Sequence, residues 1–453
     1  FNQFTYFRLG ASLCLSLCFC GDLPAQVPLT ADRIATVDMG AEIKYEWRMG
    51  SAARALQSGL SSVAETIYRS LLEKSDHLSS SELASLKLGL AKALIGQGRF
   101  VAARAQLDSV PQEFHKGQYL LYLALSIYGE GDGQIDTEAF LAALRKASLA
   151  DLKAEDLPWL AMLEGLAAEL EGKAELASAA YQRALELTDQ PMLRSHFEGL
   201  IMRQKLLASS TDEALVAELR VKIDQLDGQA AAYPFVKEYA VGLYSLGRIG
   251  EAIDAIDREL ENTSAGYVLD EREQLALLKG IILGANSETG RVALKTMILN
   301  GRGRETMGIA LQLLARVPNQ DADLLNFLKV VLSRNEPHLL QGQMYYLRSQ
   351  LAMKMAQQGS VEERMGLMAI AESDAHTLLD QFPGLSQITN VYRLLAYAAL
   401  ERQPAQYRAA ADFLIQLRDQ SPESKDFVEV NSLIGDCYFP VSYTHLRAHE
   451  THN

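Results

Sequence analysis

The chain has almost no cysteine available for structure. Only four cysteines occur in 453 residues, and three of them, Cys14, Cys18 and Cys20, fall within a short apolar stretch near the start. Without that stretch, Cys437 is left alone, so no intramolecular disulfide can form and no cysteine-based zinc site is available. An exported protein without disulfides fits the bacterial periplasm, where a large helical core needs no cross-links.

The chain also lacks an apolar run long enough to span a bilayer, which requires about 20 residues. Residues 1–25 instead have the pattern of a secretory signal peptide, in which a basic residue precedes a short apolar stretch and Ala25 provides a cleavage position. A lipid anchor at Cys20 is disfavoured because bulky Phe19 precedes it. We therefore expect export, and a periplasmic or otherwise extracytoplasmic mature protein.

Positive charge is in deficit. The sequence has 43 lysine and arginine residues against 57 aspartate and glutamate residues, which gives a net charge of −14. Such an acidic chain repels phosphate backbones, and this argues against nucleic acid as the main partner.

The body also lacks residue arrangements that are typical of a catalytic or metal site. Its histidines are scattered without ligand spacing, and no Ser/His/Asp or Cys/His set stands near a strand-turn-helix elbow. The acidic loop 132–140 lacks the carboxylates that a calcium-binding EF-hand requires at its first and twelfth positions. The segment 284–292 lacks the lysine and the spacing of a phosphate-binding loop. We predict no catalytic residue, no metal and no cofactor.

Residues 441–453 resemble a translated sequencing-library adapter. They follow 431–439, which have the pattern of the opening helix of another repeat, and Pro440 is expected to stop that helix early. We exclude 441–453 from the fold prediction and expect the natural protein to continue beyond residue 440.

What the chain does contain is a repeated pattern of small and large residues at helical spacing. This spacing places small residues where two helices touch and a large residue in the hole beside them. A glycine between the two helices takes a left-handed conformation and ends the first helix. The pattern is clearest at Gly165, Ala168, Gly172, Ala177, Tyr181 and Ala184. Further copies lie at 52–71, 91–110 and 240–256, and copies of a different style at 371–383 and 397–422.

The pattern resembles the tetratricopeptide repeat (TPR), a helix-turn-helix unit of about 34 residues. The resemblance implies an all-α protein, an α-solenoid (superhelix) of TPR-like helix-turn-helix repeats, of the type found in bacterial exported and envelope proteins. Three segments without the pattern are expected to be divergent helical pairs: 118–150, 192–228 and 301–337. The best candidate boundary is the segment Gly301–Arg304, which separates N-terminal repeats at 26–300 from C-terminal repeats at 301–440.

In the TPR family, the first helix of each repeat lines the concave face of the superhelix. Matching positions of this chain imply a partner-binding groove at Lys92, Trp159, Met162, Lys237 and Tyr244. Trp159 and Met162 also fit packing against a neighbouring repeat, whereas the polar pair Lys237 and Tyr244 has less reason to be in the core. Lys92 and Lys237 alone do not make the carboxylate clamp known from some chaperone-binding members.

The resemblance implies a non-enzymatic, exported scaffold that holds a peptide or protein partner in this groove. A second interpretation stays open, in which the repeats are the docking arm of a larger enzyme or envelope-anchored protein whose active domain lies beyond residue 440. The sequence does not define the partner, the oligomeric state or any membrane attachment.

Overall fold

A computed structural model of the chain is entirely helical in the residues that it describes, which confirms the prediction of an all-α fold. No β-strand occurs in those residues. The predicted signal peptide lies outside them. The described residues are 41–57, 60–73, 78–130, 136–148, 152–209, 211–226, 228–262, 269–334, 337–385, 387–402, 404–420 and 427–450.

The helices form two compact units, and the chain divides between Ile282 and Leu283. Within each unit, consecutive helices pack against each other along the chain, which is the arrangement of an α-solenoid. The segment Gly301–Gly303, which the sequence suggested as a boundary, is a short connection between two helices of the second unit.

The first unit contains thirteen of the described helices, and we name the odd-numbered ones its first helices. They are α1 (Ala41–Gln57), α2 (Ser61–Leu72), α3 (Ser80–Ile95), α4 (Phe100–Asp108), α5 (Gln118–Glu130), α6 (Thr137–Ser148), α7 (Leu157–Leu170), α8 (Ala174–Glu186), α9 (Pro191–Ala208), α10 (Glu213–Gln225), α11 (Tyr233–Ser245), α12 (Ile249–Glu261) and α13 (Leu269–Leu283). Short 3₁₀ turns stand at Gln112–Phe114, Ala154–Asp156 and Ala230–Ala232.

The second unit contains the remaining eight described helices, and they vary more in length. They are α14 (Glu288–Asn300), α15 (Arg304–Ala315), α16 (Asp321–Leu332), α17 (Gln341–Gln358), α18 (Val361–Gln381), α19 (Ile388–Glu401), α20 (Tyr407–Gln420) and α21 (Phe427–Glu450).

Three turns in the first unit have the same backbone. Gly98, Gly172 and Gly247 have φ angles of 68°, 73° and 77°. In each turn, the N–H of the residue after the glycine donates to a carbonyl five residues earlier, as Arg99 does to Leu94 at 2.9 Å. This is the hydrogen bond of a Schellman motif, which satisfies carbonyls at a helix end. The predicted left-handed glycines at these three turns are confirmed.

Aromatic rings fill the space beside glycines of the first helices. A Cβ atom added at Gly165 of α7 would lie 2.3 Å from the ring of Tyr181 in α8, as the sequence pattern predicts. At Gly89 of α3 the neighbouring ring is that of Tyr68 in α2, so this contact joins one helix pair to the next. The pattern of small and large residues therefore packs helices both within and between pairs.

A buried polar network joins α7, α8 and α9. Arg203 Nη2 lies 2.5 and 2.6 Å from the two carboxylate oxygens of Glu169, and Tyr181 Oη donates to the same carboxylate at 2.7 Å. Gln204 also donates to Glu169. Three donors therefore surround the carboxylate of Glu169, whose side chain is almost completely buried.

The helices also test the predictions for the segments without the repeat pattern and for Pro440. The segments without the repeat pattern are helical pairs, namely α5 with α6, α9 with α10, and α15 with α16, which confirms that prediction. The expected stop at Pro440 is wrong, because α21 continues to Glu450. A proline removes only one backbone donor from a helix, and the hydrogen bonds on either side of it can persist with a bend.

Candidate functional site

A cavity of about 990 Å³ lies in the first unit, on the side formed by its first helices. All seven first helices contribute residues to its lining. The middle parts of α1 and α3 line one part of the cavity, and the initial turns of α7, α9, α11 and α13 line another. The cavity is thus assembled from helices that are widely separated in sequence.

Four aromatic side chains line the cavity: Tyr68, Tyr122, Trp159 and Tyr233. All four are buried, so their rings are held in place by the core of the unit. Burial raises the pKa of Tyr68 to about 12 and the pKa of Tyr122 well above its usual value, so both phenols are neutral at pH 7. Such rings provide rigid apolar surface together with a polar tip.

A charged cluster surrounds Lys92 on the α3 side of the cavity. Its Nζ atom is 3.6 Å from Asp156 Oδ1, 3.9 Å from Glu155 Oε1 and 5.8 Å from the centre of the Tyr122 ring. Gln118 Nε2 donates to the other oxygen of Asp156 at 2.6 Å. Asp156 is completely buried, and its Oδ1 atom accepts no hydrogen bond. The amine of Lys92, the amide of Gln118 and the phenol of Tyr122 together compensate this buried carboxylate.

His196 lines the cavity from α9. Its side chain is more than nine-tenths buried, and its Nε2 atom has no hydrogen-bond partner. Burial and, to a smaller extent, the nearby cations Lys237 and Arg203 together lower the pKa of His196 to about 3. The imidazole is consequently neutral at pH 7, and it can still make a hydrogen bond through Nε2.

The residues proposed from the sequence fall into three groups. Lys92 and Trp159 line the cavity, and Met162 is completely buried in the core, so its side chain offers no surface to a partner. Lys237 and Tyr244 do not line the cavity. Lys237 Nζ lies 3.4 Å from Glu238 Oε1, and Tyr244 is half-buried against the core of the same unit.

Sequence reasoning did not single out Tyr122, His196 or Tyr233. Tyr122 and His196 lie in segments without the repeat pattern, and His196 was one of several scattered histidines. One sequence feature could have located the cavity: three of the first helices have a proline in their first turn, at Pro158, Pro191 and Pro234. Each of these prolines lines the cavity, so the residues next to them mark its wall.

A scan against protein-family models and a search of curated proteins gave no match to this chain. Among the described residues, no cluster of three or more His, Cys, Asp or Glu side chains is arranged to hold a metal ion. None of the described helices is both long enough and apolar enough to cross a membrane.

Proposed function

We propose that the protein is an exported, TPR-like interaction scaffold that binds a segment of a peptide or protein partner in the cavity of its first unit. The observation that supports this most directly is the cavity itself, to which all seven first helices contribute. In solenoid proteins, successive repeats form extended concave surfaces that bind partners.

The chemistry of the lining also supports a binding role. Four buried aromatic residues provide rigid apolar surface, and polar groups, among them Lys92 and His196, line the same cavity. Ligand sites in proteins commonly combine a mainly apolar lining with a few polar groups that fix orientation. The volume of about 990 Å³ is sufficient for several side chains of an extended segment.

A blocking substitution tests the site without removing a core residue. Ser85 is exposed on α3 and lines the cavity, whereas Ser81 is exposed one turn earlier and does not line it. Peptides are selected from a random-sequence display library on the full chain, and their binding to Ser85→Trp and Ser81→Trp is then compared. We expect Ser85→Trp to lose binding and Ser81→Trp to keep it. Equal binding to both variants, or no selected peptide at all, would contradict the proposal.

Export is the second part of the proposal, and it rests on the signal-like pattern of residues 1–25. Fusing these residues to a phosphatase that is active only outside the cytoplasm tests it. We expect phosphatase activity from this fusion and none when Leu13 and Leu15 are both replaced by arginine, because charges in the apolar stretch abolish a signal peptide. An inactive parent fusion would contradict export through this segment.

A further inference from the structure

We propose that the segment held in the cavity carries a lysine or arginine side chain between apolar residues. This inference rests on the proposed function, because it names the chemical class of the segment that the cavity would bind. Three properties of the lining support a cationic occupant: its charge, its aromatic rings and the unpartnered nitrogen of His196.

The charged groups at the cavity are more acidic than basic. The lining contains three acidic and two basic side chains: Glu155, Asp189, Glu271, Lys92 and Lys153. The amine of Lys92 is already 3.6 Å from the buried carboxylate of Asp156, which does not itself line the cavity. With Asp156 included, four carboxylates stand against two amines, so the local field attracts positive charge.

The aromatic rings favour the same kind of occupant. The face of a tyrosine or tryptophan ring attracts an ammonium or guanidinium group within about 6 Å of its centre. Lys92 already makes such a contact with Tyr122, at 5.8 Å. Trp159 and Tyr233 also line the cavity, and tryptophan binds cations better than tyrosine does.

His196 is a separate observation that indicates a polar ligand, and in the tautomer that carries its proton on Nδ1 it fits a ligand with N–H donors. Its side chain is more than nine-tenths buried, and Nε2 has no partner. A neutral imidazole nitrogen can accept a hydrogen bond from an ammonium, guanidinium or amide N–H. The two cations nearest His196 are each paired, since Lys237 lies 3.4 Å from Glu238 and Arg203 lies 2.5 Å from Glu169, and this pairing reduces their repulsion of a cationic occupant.

The helix starts at the cavity offer fewer donors to an anion than helix starts without proline would. A helix N-terminus attracts anions through its free backbone N–H groups. Three of the helices that begin here carry a proline in the first turn, at Pro158, Pro191 and Pro234. Each proline removes one N–H group from that turn, which reduces the number of donors available to an anion.

The test uses the two tryptophans of the chain, Trp47 and Trp159. Trp47 is exposed and does not line the cavity, so in a Trp47→Phe variant the fluorescence of Trp159 reports on the cavity alone. The probes are peptides selected from a random-sequence display library on the full chain, and derivatives in which each Lys or Arg is replaced by Gln or by Glu. We expect selected peptides to be rich in Lys or Arg, and the Gln derivative to bind about twofold to thirtyfold more weakly.

Variants of the protein complete the test. We expect the double variant Glu155→Gln/Asp189→Asn to weaken binding of the basic peptide by about twofold to fivefold per carboxylate, with a smaller loss at high salt. The matched control is Glu218→Gln, which removes an exposed carboxylate of α10 away from the cavity and should leave binding unchanged. If Ser85→Trp blocks binding of the selected peptides but these peptides are neutral or acidic, the charge inference is overturned and the proposed function is kept. If Ser85→Trp blocks no selected peptide, the proposed function itself fails.

Discussion

The two units join their helices in different ways. In the first unit, the same left-handed turn recurs at Gly98, Gly172 and Gly247. In the second unit, the connections differ from one another, with extended backbone at Gly301 and a left-handed asparagine at Asn319. A repeated turn sets the same geometry between the two helices of a pair each time, so successive first helices can present one continuous surface. The cavity lies in the unit that has these repeated turns.

The units also differ in how they bury charge. In the first unit, Arg203 and Glu169 are both almost fully buried. Tyr181 and Gln204 also donate hydrogen bonds to the Glu169 carboxylate. In the second unit, Arg348 binds Asp374 at 2.6 and 2.7 Å, but the arginine side chain remains 16% exposed. The charges of Arg203 and Glu169 are therefore stabilised by protein groups alone, whereas water can still reach the side chain of Arg348.

Breaking each of these two ion pairs should give the largest difference between the units in the free energy of unfolding. We expect Arg203→Met to cost about 3–5 kcal/mol, because it leaves the buried carboxyl group of Glu169 without its ion-pair partner, and Arg348→Met to cost less. Both tryptophans lie in the first unit, so their fluorescence during urea unfolding follows that unit, while far-UV circular dichroism follows all helices. A double variant Glu169→Gln/Arg203→Met should recover part of the loss. Equal costs for the two single arginine variants would contradict the comparison.

Acid should destabilise the first unit through His196. Its pKa is about 3 in the folded chain, below the usual value near 6.5 that it regains on unfolding, so between these values the unfolded chain binds the proton. The contribution of His196 to stability is thus complete above about pH 6.5 and is lost as the pH falls towards 3, by at most about 1.4 kcal/mol per pH unit. We expect His196→Gln to flatten the pH dependence of the free energy of unfolding, followed by tryptophan fluorescence. An unchanged slope would contradict the buried, neutral imidazole.

The close packing of small and large residues in the first unit can be tested at one glycine. In Gly165→Ala, the new Cβ atom would lie 2.3 Å from the Tyr181 ring, whose hydroxyl is held by Glu169. Overpacking of this kind should cost about 1–3 kcal/mol. Tryptophan fluorescence during urea unfolding measures the change. A variant as stable as the parent chain would show that Tyr181 can move aside and that this contact does not fix the spacing of α7 and α8.

The sequence was sufficient to predict the helical pairs and the turns, because both depend on residues close together in the chain. Gly98, Gly172 and Gly247 could be recognised since each follows a helix and precedes another at the same spacing. The cavity could not be predicted in the same way, because Tyr122, His196 and Tyr233 come from different helices and meet only through packing between pairs.

The division into units also does not follow from local patterns. It falls between Ile282 and Leu283, in the last turn of α13, and Gly284 beside it is one of several left-handed glycines in the chain. The glycines at 301 and 303, which suggested a boundary, lie in the connection between α14 and α15. Local turn residues identify the ends of helices, whereas a division between units depends on which helices share a core.

The smallest expected change in stability is at Gly308 of α15, in the second unit. Unlike the other substitutions, this one should stabilise the protein. No atom lies within 4 Å of the position that a Cβ atom would take there, in contrast to Gly165. Gly308→Ala should therefore stabilise α15 by about 0.5–1 kcal/mol, because alanine loses less backbone entropy than glycine when a helix forms. Hydrogen exchange of peptides covering 304–315 is expected to slow, while exchange in α7 stays unchanged. If Gly308→Ala instead destabilised the protein as Gly165→Ala should, this face of α15 would be packed against another group, and the two units would share the close small-to-large packing that the structure gives to the first.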